Sequence, residues 1–100
     1  MIFVYLVSFN PETISPSLAQ IHTLIEKSRE IDSWYYAFSG TYLIKSSTPI
    51  VYLSATFRNF FGEGHFIISH VVPDLIGGSL PQPVWDWANT NRPALAGIQQ

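Results

Sequence analysis

The chain has 100 residues, with five Lys plus Arg against seven Asp plus Glu, a net charge of -2, and 12% charged, 47% apolar and 15% aromatic residues. That balance excludes a disordered chain, which needs low hydrophobicity and high charge, and the absence of Cys excludes disulfide staples and thiolate metal sites. Five cations give no electrostatic grip on nucleic acid of the kind that neutralises many phosphates, and the length suits one domain.

Ile2 to Ser8 is an unbroken apolar run that reads as a central strand with both faces covered, ended by Asn10 and Pro11. Ser15 followed by Pro16 is a cap-and-proline helix start. Leu18, Ile21, Leu24, Ile25 and Ile31 then follow helical spacing, which predicts a helix over about residues 16–30. Trp34 to Phe38 and Thr41 to Lys45 read as two strands joined by a Ser39-Gly40 turn. Ser46-Ser47-Thr48-Pro49 repeats the helix-start signal. Ile50, Leu53, Phe57 and Phe60 make the apolar stripe of a second helix ending at Gly62. His65 to Val72 is a last strand, closed by Pro73.

The order strand, helix, strand, strand, helix, strand predicts an α+β, ferredoxin-like βαββαβ sandwich. It has a four-stranded antiparallel sheet with two helices on one face, and each crossover is taken to join parallel neighbours. The expected division is a domain over 1–76, a Trp-containing docking segment over 77–92 and a flexible tail over 93–100. Trp85 and Trp87 drive the docking expectation, because each ring buries about 200 Å². Their segment should lie on the chain's own open sheet face or on a partner's sheet edge.

The longest stretch without Asp, Glu, Lys or Arg is Thr13 to Ile25, too short for the roughly 20 apolar residues of a membrane span. No basic segment precedes the apolar start, so neither a signal peptide nor a membrane is expected and the cytoplasm is the default. So little surface charge implies that a partner covers apolar surface, most simply as a homodimer. Phe3, Tyr5, Trp34 and Tyr36, with Trp85 and Trp87, are the expected dimer or docking residues. The set Phe3, Tyr5, Trp34, Tyr36 and Tyr42 also suggests an exposed aromatic platform, read as interface core because a basic rim is lacking.

Three stretches carry a family resemblance: Tyr5-Leu6-Val7-Ser8-Phe9-Asn10; Trp34 with Gly40-Thr41-Tyr42-Leu43-Ile44; and Gly77-Gly78 with Trp85-Asp86-Trp87. Over about residues 1–88 the chain resembles the small ferredoxin-like proteins grouped with the CRISPR adaptation protein Cas-two, especially their SinR-like relatives outside CRISPR loci. The resemblance implies a homodimer whose terminal segment crosses between protomers. Members credited with divalent-metal nuclease activity carry an Asp at the exit of the first strand, where this chain has Asn10. A neutral amide oxygen suits Mg²⁺ poorly, and the nearest acid is Glu12. A Mg²⁺-dependent nuclease through Asn10 and Glu12 is therefore the alternative reading.

The leading expectation is a non-catalytic binding or interaction protein without cofactor or resident metal. Its possible ligand is a small nucleotide-like molecule at the dimer seam, held by Ser8, Asn10, Ser46, Ser47 and Thr48, since helix starts with hydroxyls attract anions. A structural adaptor working by sheet-edge addition is a further alternative. His22 has Glu26 four residues on, which reads as a helix-surface pair. His65 and His70, five apart, face opposite sides of a strand and cannot share a metal.

Overall fold

The computed structural model describes residues 2–72, 75 and 77–89. Chain order is β1 (Phe3–Phe9), a 3-10 turn (Pro11–Thr13), α1 (Leu18–Lys27), β2 (Ser33–Phe38), β3 (Thr41–Ser46), α2 (Ile50–Phe61), β4 (Phe66–Val71) and α3 (Gln82–Asn89). The sheet order is β2-β3-β1-β4 and every pair is antiparallel. Among the described residues the result is an α+β fold with a four-stranded antiparallel sheet and three helices, an arrangement compatible with the ferredoxin-like pattern. One expectation is corrected: the crossovers do not join neighbours. β3 lies between β1 and β2, and β1 lies between β3 and β4.

Local chemistry sets the helix ends. α1 starts two residues later than Ser15-Pro16 suggested, because Ser17 and Gln20 form a reciprocal capping box. The Ser17 hydroxyl accepts from the Gln20 amide at 3.2 Å, and the Ser17 amide donates to Gln20 Oε1 at 2.7 Å. Pro49 is the residue before the first turn of α2, and its carbonyl accepts from the amides of Tyr52 and Leu53. Gly62, with φ of 63°, ends that helix in a conformation that favours glycine. The β2–β3 turn needs Gly40 (φ 79°), where an added Cβ would lie 2.5 Å from the Phe9 carbonyl oxygen.

The main core lies between α1, α2 and one sheet face. Tyr5, Val7 and Phe9 of β1 meet Ile21 and Ile25 of α1, Tyr42 and Ile44 of β3, and Leu53, Phe57 and Phe61 of α2. Burying each such side chain contributes about 1.5–3 kcal/mol. Within this core, rings follow one another from Phe57 to Phe61 (5.7 Å), Phe9 (4.8 Å), Tyr42 (5.8 Å), His22 (5.5 Å) and Trp34 (5.1 Å).

Strand alternation sends the neighbouring residues to the opposite face: Val4, Leu6 and Ser8 of β1, paired with Lys45, Leu43 and Thr41 of β3. α3 covers part of this second face. The Trp87 indole N–H donates to the Ser33 hydroxyl at 2.9 Å, and the Lys45 ammonium sits 4.7 Å from the Trp87 ring centroid. Val84 and Ala88 are buried, and Val4 has no exposed surface. The docking segment, as far as Asn89, thus lies on the chain's own sheet; its expected continuation to residue 92 and the tail over 93–100 fall outside the described residues. Among the described residues no helix is long and apolar enough to cross a membrane.

Candidate functional site: a cleft on the second sheet face

The hydroxyl-bearing loop before α2 is built into the fold. Ser46 is fully buried; its hydroxyl donates to the Glu30 carbonyl oxygen and accepts from the Thr48 amide at 3.0 Å. The Thr48 carbonyl in turn accepts from the Tyr5 hydroxyl at 2.8 Å, and burial pushes the ionisation of that phenol up. The Thr56 hydroxyl donates to Glu30 Oε1 at 2.5 Å. Both roles of the Ser46 hydroxyl are filled by protein, which removes it from an anion site. Ser47 is exposed and Thr48 half-buried.

Asn10 and Ser8 sit at the far end of β1. Antiparallel pairing sets Phe3 beside Ser46 and Ser8 beside Thr41, so a seven-residue strand, roughly 20 Å, separates Ser8 and Asn10 from Ser46, Ser47 and Thr48. The expected ligand set is therefore split between two ends of the sheet. Asn10 Oδ1 accepts from the Glu12 amide at 3.0 Å and caps the turn that carries Glu12. The Asn10 amide donates to the His65 carbonyl at 3.0 Å, and the Thr13 hydroxyl accepts from the His65 amide at 2.9 Å. Ser8, Asn10 and His65 share a shallow hollow of about 360 Å³. Among the described residues no group of three or more His, Asp or Glu is placed to hold a metal ion.

The expected docking aromatics are split as well. Phe3, Tyr5, Trp34 and Tyr36 pack with the core beneath α1 and α2, whereas Trp85 and Trp87 belong to α3 on the other face. Tyr42, fully buried, is likewise no part of an open platform. The reason is parity: both faces of β1 are apolar, so the sequence did not say which face the helices cover. His22 and Glu26 also take separate partners. His22 Nδ1 lies 2.9 Å from the Tyr42 hydroxyl and its ring stacks on Trp34, while Glu26 Oε1 accepts from the Trp34 indole at 3.0 Å. Desolvation, with Tyr36 adding to it, raises the Tyr42 ionisation far above the ordinary phenol range.

Sequence reasoning did not find the feature with the shape of a ligand site. A cleft of about 410 Å³ opens between the second sheet face and the chain running into α3. Leu6 and Leu43 form its floor, Phe38 and Thr41 its rim, and Leu80 and Trp85 its roof, with Gly77-Gly78 at the entrance to that roof. Among the described residues, no Asp, Glu, His, Lys or Arg lines it. A larger hollow of about 650 Å³ over the outer side of α1 is far more open to solvent. The signal for the cleft was present in the sequence as Gly-Gly followed by Trp85, opposite strands with a second apolar face.

No protein-family model, no curated protein and no solved structure matches this chain.

Proposed function

We propose that this chain is a non-catalytic binding protein of ferredoxin-like fold, whose site is the cleft between the second sheet face and α3. The occupant is a small, uncharged, largely apolar molecule. The observation that carries the reading is the lining among the described residues: apolar and aromatic walls, the Thr41 and Ser79 hydroxyls, and no titratable side chain to serve as acid, base, nucleophile or metal ligand. The volume of about 410 Å³ lies within the usual range of small-molecule clefts. This replaces the nucleotide-like ligand, whose expected hydroxyls are separated and in part occupied. Membership of the Cas-two and SinR-like group belongs to the same proposal, supported by the strand order.

The test is a titration with the neutral fluorophore N-phenyl-1-naphthylamine. Saturable one-to-one binding is expected, weakened at least tenfold by Phe38→Ala, a rim residue 62% exposed and so dispensable for folding. Binding that does not saturate, or that ignores Phe38→Ala, overturns the site. A thermal shift with mono-, di- or cyclic nucleotides but not with the apolar probe overturns the ligand class.

A further inference from the structure

The two edges of the sheet differ. β2 carries a bulge between Tyr36 and Phe38, a device that turns an edge away from incoming strands. β4 pairs with β1 in an unbroken register and contains neither Pro nor a Lys, Arg, Asp or Glu. Among the described residues no strand pairs with its outer side. Ile67 on this strand is 68% exposed.

The direction of the free backbone groups follows from the ladder. The Asn10 amide donates to the His65 carbonyl, which makes these two a hydrogen-bonded pair in the register that sets Phe9 against Phe66. Hydrogen-bonded pairs recur every second residue. Ile67, Ser69 and Val71 therefore bond inward to β1, and the amides and carbonyls of Phe66, Ile68 and His70 point outward.

We propose that this edge pairs antiparallel with β4 of a second copy of the chain, about a twofold axis through Ser69, joining two four-stranded sheets into one. An antiparallel edge is complementary to itself, because the same outward residues supply donors and acceptors on both sides. A copy also brings no carboxylate onto the strand. Matching the covered faces of both sheets requires the axis to pass through a residue, and the centre of the strand leaves Ile68 or Ser69. An axis at Ile68 sets Ile67 against Ser69 of the copy. An axis at Ser69 sets Ile67 against Val71, which covers the exposed isoleucine with an apolar neighbour. This inference does not rest on the cleft: Val71 is common to both, but neither Ile67 nor Ser69 lines it.

The absence of Cys makes the test direct. About the proposed axis, Ser69 faces its own copy in a non-hydrogen-bonded pair, with Cα atoms about 4.5 Å apart, inside disulfide range. Under mild oxidation Ser69→Cys should form a covalent dimer in good yield, and Ile68→Cys should not. The untreated wild type should scatter light as twice 11.3 kDa at about 100 µM, and Ile67→Lys should raise its dissociation constant at least tenfold. Preferential cross-linking at position 68 overturns the axis. A monomeric wild type whose Ser69→Cys form stays uncross-linked overturns the pairing and leaves the edge to another segment or another protein.

Discussion

Tyr42 has no exposed surface, its hydroxyl meets His22 Nδ1 at 2.9 Å, and burial makes its anion costly. The sign of the linkage is fixed by this. Unfolded, the phenol loses its proton near pH 10; folded, it keeps that proton to higher pH. The unfolded state therefore binds fewer protons above pH 10, and the stability held below that pH is lost as pH rises from there toward the folded value. Urea unfolding between pH 8 and 11.5 should show stability falling past pH 10, with a shallower fall in Tyr42→Phe. Equal slopes in the two proteins would contradict it. Some slope should persist in the variant, because Tyr5 is raised by burial as well. At this scale the sequence was legible in identity but not in orientation. Tyr5 and Tyr42 were read as aromatics of the sheet, yet nothing in a strand apolar on both faces says which side meets the helices. Ser46 illustrates the same limit: a serine before a helix reads as a surface cap, and only the third dimension buries it against the Glu30 carbonyl.

Elements were more legible than residues, because periodicity survives errors in any one position. Of the expected stripes, Leu53 and Phe57 in α2 and Ile21 and Ile25 in α1 are buried and Phe60 is half-buried, while Ile50, Leu18 and Leu24 are exposed and Phe61, outside the expected stripe, is buried. Boundaries followed capping chemistry, which at Ser17 depended on Gln20 three residues later. α3 was not legible as a helix, since Pro81 and Pro83 read as breakers. Pro83 lies in the first turn of α3, where a missing amide proton costs nothing. The β2–β3 turn offers the test at this scale. Gly40→Ala places a Cβ 2.5 Å from the Phe9 carbonyl oxygen at a φ of 79°, and should lower stability by about 2 kcal/mol. An unchanged urea midpoint would show that the turn rearranges without cost.

At the scale of the whole molecule, low charge led to the expectation of a covering partner. Part of that cover comes from the chain itself: α3 lies over Ser33 and Lys45, leaving Phe38 at the cleft rim and Ile67 at the β4 edge exposed. The sequence could not decide between its own sheet and a neighbour's, because that choice rests on the path of the chain after β4. Lys45 shows what the third layer does. It is only 5% exposed, and desolvation lowers its ionisation below the ordinary lysine range. Trp87→Ala removes the bond to Ser33 and the ring over Lys45, which should cost about 2 kcal/mol. It should also speed acetylation of Lys45 severalfold by an amine-reactive reagent, read by mass spectrometry. An unchanged acetylation rate would mean that α3 does not shield this lysine.

The succession of rings from Phe57 through Phe61, Phe9 and Tyr42 to His22 and Trp34 crosses the seam where helices meet sheet. Aromatic chromophores held in a fixed chiral order have circular dichroism in the near ultraviolet, and those free to reorient do not. Part of this protein's optical activity above 250 nm (about the onset of that band) thus originates at the seam itself, and part at Trp87, held by Ser33 on the other face. If α1 and α2 slide off the sheet while keeping their turns, the seam's share of that signal vanishes and the far-ultraviolet spectrum stays, so the chain labels the tightness of its own packing without an added dye.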